Sequence, residues 1–143
     1  MSINYEIHTI SNSQGSGTAR HFARIFEGSP MSAQQLERLI QDNSTLKKGD
    51  IEATLSELRE QMVRELSQGH RFYIPNVGYF SLSVKLDADG KAVEKVSGGD
   101  LHLHNINFRP EASLLLEVGS KVRFRRARLT SKSVVYEEKQ LLS

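Results

Sequence analysis

Two histidines one residue apart, His102 and His104, are the nearest thing in this chain to a metal-binding pattern. On a strand they share one side, a spacing some metal sites use, yet no carboxylate or thiol at a matching position completes a ligand shell. The run Asp87-Ala88-Asp89-Gly90-Lys91 begins like a calcium loop, but its glycine comes too early and no bidentate glutamate follows at the needed distance. A hairpin turn accounts for it better. Gly15-Ser16-Gly17-Thr18 lacks the Gly-Lys-Ser/Thr ending of a phosphate-binding loop and reads as linker. Serines, histidines and acids are scattered without a nucleophile motif. The expectation is therefore no catalytic residue, no metal, no cofactor and no small-molecule substrate.

What remains is charge. The net charge is only +2, but residues 1–118 hold 12 Lys/Arg against 15 Asp/Glu, while 119–143 hold 7 against 2. From Gly119 to Lys132 the cations are Lys121, Arg123, Arg125, Arg126, Arg128 and Lys132, with no acid among them. Such asymmetry is the electrostatic footprint of a polyanion partner; a solvated strand edge kept basic against edge pairing leaves the same trace.

A chain of 143 residues with 38% hydrophobic content can build one ordinary core with a tail. The absence of cysteine rules out disulfides and thiolate metal sites and leans towards a reducing compartment. No span resembles a membrane helix, and Met1–Ile10 lacks the basic-then-apolar order of a signal peptide, so the expected location is cytoplasmic, with no membrane partner.

The elements that would position these groups can be read in order. Ile3, Tyr5 and Ile7 alternate with polar residues, predicting a strand to about Ile10; residues 11–17 form a polar loop, and Arg20–Phe26 reads as a second strand, although its apolar spacing does not separate strand from helix cleanly. Ser32-Ala33-Gln34-Gln35 is a capping-box pattern before a short helix to about Gln41, with Leu36, Leu39 and Ile40 in one stripe. Asp50 opens, or lies in the first turn of, a longer helix whose Ile51, Leu55, Leu58, Met62 and Leu66 share a face. Gly69 stops it, and Phe72, Ile74, Phe80, Leu82 and Val84 then recur at period two around a reversal at Pro75-Asn76-Val77-Gly78. A polar excursion from Lys85 to Asp100 precedes a strand to Phe108. Pro110 suits the first turn of a last helix, Glu111 to Val118, stopped by Gly119. Beyond it Lys121-Val122-Arg123-Phe124-Arg125 alternates, so Val122 and Phe124 would seat on the body with three cations outward.

The order helix, helix, Gly-x-x-Phe-x-Ile-Pro-x-Val-Gly-x-Phe, arm, a strand ending Phe108-Arg109-Pro110, short helix resembles the HU and integration-host-factor family of bacterial histone-like DNA-binding proteins. With the N-terminal strands, which look like the HU-like branch of Bacteroides-type bacteria, the resemblance reaches residue 126. It implies an α+β, IHF-like fold: a helical hairpin on an antiparallel sheet with a protruding β-arm and an N-terminal strand extension. The expected organisation is residues 31–118 as the HU-like core, 1–30 as the extension, 1–126 as the whole DNA-binding domain and 127–143 as a basic, then mixed tail. The resemblance also implies a homodimer that binds double-stranded DNA with weak sequence preference, in the nucleoid. An apolar helix face left without cover agrees with pairing to a second copy.

One departure bears on mechanism. The family's arm carries an Arg-Asn-Pro tip whose proline wedges between base steps. Here the three prolines are Pro30, Pro75 and Pro110, and the arm sets Lys85, Lys91 and Lys95 against Asp87, Asp89, Glu94 and Asp100. A net-negative finger is repelled by a groove lined with phosphates, so wedge insertion is not carried over. Alternation instead sends Arg71, Tyr73, Tyr79, Ser81, Ser83 and Lys85 to the outer face, joined by Asn105, Asn107 and Arg109. The expected DNA contacts are Arg71, Tyr73, Lys85 and Arg109 on that face and Lys121, Arg123, Arg125, Arg126 and Arg128 after Gly119. The alternative is an HU-shaped protein-interaction or scaffold module that does not bind DNA.

Overall fold

The computed structural model describes residues 1–10, 19–127, 129–130 and 133–134. They fall into two compact units, one of residues 31–117 and one made from residues 1–30 together with the chain from Val118 onward.

In the larger unit, α1 (Ala33–Asp42) begins at the predicted capping box: Ser32 Oγ accepts from the Gln35 amide at 3.2 Å, and the Ser32 amide donates to Gln35 Oε1 at 3.0 Å. Both bonds satisfy amides that a helix start leaves without partners. Ser32→Ala is expected to lower stability by about 1 kcal/mol in denaturant titration, as loss of a serine N-cap does. The turn after α1 is held by side chains that cap its last carbonyls, Asn43 Nδ2 to Leu39 O at 2.8 Å and Ser44 Oγ to Ile40 O at 2.6 Å. Helix α2 (Lys48–Ser67) starts two residues before Asp50, whose carboxylate accepts from the Lys47 amide at 3.1 Å. It ends in a Schellman motif: Gly69 N–H to Leu66 O at 3.0 Å, His70 N–H to Glu65 O at 3.1 Å, with Gly69 at φ +83°.

Strands β3 (Phe72–Ile74), β4 (Gly78–Leu86) and β5 (Leu101–Pro110) follow as an antiparallel sheet in that order. The β3–β4 reversal has Pro75 at its second position, Asn76 at φ +62° at its third, and Val77 N–H donating to Ile74 O at 3.1 Å. That is the residue pattern of a type II turn. Register pairs Phe72 with Phe80 and Phe80 with Phe108, so the phenylalanines stack across three strands on one face. A bulge between Ser83 and Val84 pairs Val84 with Leu103 and leaves His104 as the extra residue. It reconciles two apolar phases, Leu101/Leu103 and Ile106/Phe108, on one side of the sheet. His102 pairs with Lys85, whereas His104, at the bulge, has no partner across the ladder.

The arm is ordered by its own polar contacts. Residues 93–95 and 98–100 form short 3-10 turns, the Asp87 amide donates to Asp100 O, and Lys91 Nζ lies 2.5 Å from Asp100 Oδ1. Lys91, then the Ser97 amide, hold the Asp100 carboxyl below its usual value. Because the folded-state value is depressed, this contact is at full strength above the ordinary carboxylate range and is lost as pH falls through the folded value. Below about pH 4, protection of the Ser97 and Asp87 amides from hydrogen exchange is expected to fall before that of β3–β5.

Helix α3 (Ala112–Lys121) starts and ends later than expected. Pro110 is the last residue of β5, paired with Gly78, and Gly119 lies inside the helix without positive φ, so nothing there forces a stop.

The smaller unit is a three-stranded sheet, ordered β2 (Arg20–Ile25), β1 (Ile3–Ile10), β6 (Phe124–Arg126), with β2 antiparallel and β6 parallel to the central β1. Two short strands, β7 (Leu129–Thr130) and β8 (Ser133–Val134), pair with each other. Phe124 meets Tyr5 edge-on at 6.5 Å but stays 60% exposed, so it does not seat as deeply as its alternation predicts.

Fully buried apolar side chains among the described residues are few, Ile51 and Leu66, both on α2. Phe72, Ile74 and Phe80 are half-buried, while Leu82, Val84, Leu86, Leu101, Leu103, Ile106 and Phe108 remain exposed. The apolar side of the β3–β4–β5 sheet is thus incompletely covered by α2 within one chain. No helix among the described residues is long and apolar enough to cross a membrane.

Candidate nucleic-acid interface

The outer face of the β3–β4–β5 sheet carries Tyr73, Tyr79 and Arg109 in one row across the three strands, because register pairs Tyr73 with Tyr79 and Tyr79 with Arg109. The tyrosine rings stack at 4.7 Å, and the Arg71 guanidinium lies 5.2 Å from the centre of the Tyr79 ring. This cation–π contact keeps an arginine over the outer face without neutralising it. Along the strands the rows continue as Ser81 with Asn107 and Ser83 with Asn105, and beyond the bulge Lys85 pairs with His102. Asn105 Nδ2 donates to Asn107 Oδ1 at 3.3 Å and Ser83 Oγ to Asn105 O at 3.4 Å. No acid stands on these strand positions.

At one end, an open cleft of about 590 Å³ is lined by Arg71, Tyr79, Arg109, Pro110, Glu111 and Leu115. Glu111 Oε1 accepts from the Tyr73 hydroxyl at 3.0 Å, while its Oε2 is shielded from solvent and has no hydrogen-bond partner among the described residues. The bond to Glu111, assisted by desolvation, raises the Tyr73 phenol above its ordinary value. Tyr73 therefore stays a neutral donor. Two cations, two stacked rings and hydroxyl and amide groups suit phosphate and sugar contacts, which position a nucleic acid without reading its bases.

Of the residues expected from the sequence, Arg71 and Arg109 line this cleft, Tyr73 bonds to its Glu111, and Lys85 lies at the arm end of the same face. The others belong to the smaller unit. Lys121 is the last residue of α3, and Arg123 Nη1 donates to the carbonyls of Ser120 and Val122 at 3.1 and 2.8 Å. Arg125 lies opposite Asn4, with its Nε 3.4 Å from Asn4 Oδ1, and Arg126 lies opposite Tyr5, so alternation sends these two arginines to opposite faces. Arg123 and Arg125 are thus partly engaged within the chain rather than simply pointing outward. Arg128 lies outside the described residues.

Two groups escaped the sequence reading. Glu111 reads there as an ordinary acid at a helix start, and nothing in its neighbours marks it as the partner of Tyr73, 38 residues away. His102 joins Lys85 only because of the bulge, which the broken phase from Leu101/Leu103 to Ile106/Phe108 would have disclosed.

Among solved structures, the chain is similar to a Bacteroides vulgatus protein provisionally described as a bacterial DNA-binding protein, with TM-score 0.60 and 8% identity. The alignment covers 89% of this chain and 50% of that one, so this chain spans about half the length of that neighbour. At this identity the likeness concerns the α+β fold. No curated protein matches the sequence. Residues 1–126 match the family described as HU-HIG, "HU domain fused to wHTH, Ig, or Glycine-rich motif", and on that match the chain belongs to this HU-like family.

Proposed function

We propose that the protein is a non-enzymatic, sequence-tolerant binder of double-stranded DNA that works as a homodimer in chromosome architecture, in the cytoplasmic nucleoid. The observation that carries this reading is the outer sheet face, where Arg71, Tyr73, Tyr79 and Arg109 adjoin serines and asparagines with no acid on the strands. Membership of an HU-like family and a neighbour described as DNA-binding support it. The homodimer rests on the opposite face: Val84, Leu103 and Ile106 are 62%, 61% and 48% exposed, more apolar surface than a stable monomer leaves in water. A second copy supplies the cover by an isologous interface.

The arm takes no part as a wedge. It has no proline, and its ordered turns carry four acids against three lysines across residues 85–100. Binding is then mainly electrostatic and does not require a sharp kink. This acidic arm is also the one feature favouring a second reading, a protein-interaction module of the same shape without DNA binding. Retention on DNA resin at low salt separates the two.

The contribution of the basic segment is tested by the triple change Arg123→Ala, Arg125→Ala, Arg126→Ala. Duplex affinity is expected to fall equally for unrelated sequences, and the slope of log affinity on log salt to flatten by up to about 2.7, at roughly 0.9 for each phosphate contact. Unchanged binding in gel-shift titrations would remove the segment from the contact surface while leaving the outer sheet face standing.

A further inference from the structure

We propose a second nucleic-acid site on the N-terminal strands, one that takes unpaired bases of single-stranded DNA by stacking. Antiparallel register pairs Glu6 with Arg24, His8 with Phe22 and Ile10 with Arg20, so these six side chains share one face of the smaller sheet. Phe22 and His8 stack at 5.2 Å with their rings 18° apart, and Phe22 keeps 41% of its surface exposed. His8 hydrogen-bonds Glu6, which draws that carboxylate towards the imidazole. Arg20 and Arg24, one residue beyond on either side of Phe22 along the same face, are exposed and form no ion pair among the described residues.

The strand therefore presents cation, aromatic ring, cation at two-residue spacing. A ring with an open surface flanked by guanidinium groups matches the chemistry of a single strand, whose bases offer flat faces and whose phosphates run alongside at comparable spacing. A paired duplex hides its base faces inside the stack and gains nothing from Phe22. The site lies on a different sheet from the β3–β4–β5 face, and it stands or falls separately from duplex binding. Neither Phe22 nor the two arginines contribute buried packing that the sheet needs, since all six residues of β2 are exposed.

The test uses the full chain and fluorescence anisotropy with a short labelled oligothymidylate and a duplex of unrelated sequence. Phe22→Ala is expected to weaken oligothymidylate binding by roughly 5- to 150-fold, the range seen for removal of one base-stacking ring, while duplex affinity changes by less than about twofold, as expected for separate sites. Phe22→Tyr should restore binding. Arg20→Ala with Arg24→Ala should weaken it and flatten its salt dependence. Independently of any variant, an oligonucleotide carrying 5-iododeoxyuridine should photocrosslink the wild-type chain within residues 20–24. Equal losses on both ligands, unaltered oligothymidylate binding by Phe22→Ala, or crosslinks confined elsewhere would overturn the proposal. So would tighter binding of oligouridylate, which would make the occupant RNA, or protection of Phe22 by a second copy of the chain.

Discussion

Gly78→Ala is expected to lower stability by roughly 3 kcal/mol or more, as strained backbone and forced overpacking together do, and to lower the melting temperature clearly. A Cβ built on Gly78 would lie 2.3 Å from the Arg109 carbonyl oxygen and 2.9 Å from Pro110 Cα, both backbone atoms, with the Phe108 ring at 2.9 Å. Backbone on a paired strand cannot swing aside as a surface side chain does, so β4 and β5 would have to part where Gly78 pairs with both Ile74 and Pro110. The residue also sits at φ +154°, where an L side chain adds strain of its own. Against a typical total stability of about 5–15 kcal/mol, the loss is large. Gly49→Ala is the control: nothing lies within 4 Å of its Cβ position, and it stands inside α2, so the change should be neutral or stabilising by up to about 1 kcal/mol. Thermal and urea denaturation of the two variants should diverge sharply; a wild-type melting curve for Gly78→Ala would contradict the close approach of the strands. Because Gly78 precedes Tyr79, the same change would displace the row of Tyr73, Tyr79 and Arg109.

The features legible in the sequence are those set by contacts a few residues apart. Ser32 and Gln35 satisfy each other's amides within one turn, and Gly69 closes α2 through bonds reaching back no further than Glu65. The alternation Phe72, Ile74, Phe80, Leu82, Val84 fixes a face because a strand has only two. What stayed hidden depends on partners distant in the chain. Glu111 acquires its role from Tyr73, and Arg125 meets Asn4 across 121 positions. Pro110 and Gly119 misplace α3 for a related reason: each has a local habit, and a tertiary demand overrides it. Pro110 completes the β4–β5 ladder, and Gly119 is carried through by a helix that continues to Lys121. The outer sheet face was legible by parity from Arg71 to Lys85 and from Asn105 to Arg109, but not beyond the bulge, where one extra residue, His104, exchanges the two faces of β5.

Arg71→Ala combined with Arg109→Ala is expected to weaken duplex DNA binding about tenfold or more at low salt and to reduce the salt slope by about 1.8, two phosphate contacts at roughly 0.9 each. The loss should be the same for duplexes of unrelated sequence, since contacts to the backbone carry no base information. Folding should be largely retained: Arg71 precedes β3 and rests on the Tyr79 ring, and both arginines are exposed. Glu111→Gln supplies the converse. It keeps an oxygen for the Tyr73 hydroxyl, 3.0 Å from Glu111 Oε1, but removes a negative charge from the cleft that the two arginines line. Coulomb repulsion between that carboxylate and an incoming phosphate is only partly screened at such range, so binding should tighten as the arginine change loosens it. Opposite responses to the two changes, measured in one gel-shift series at two salt concentrations, place the DNA backbone at this cleft. If neither change alters affinity while the wild-type chain still binds duplex, the outer sheet face is not the contact surface, and the basic segment after Gly119 must carry the interaction alone.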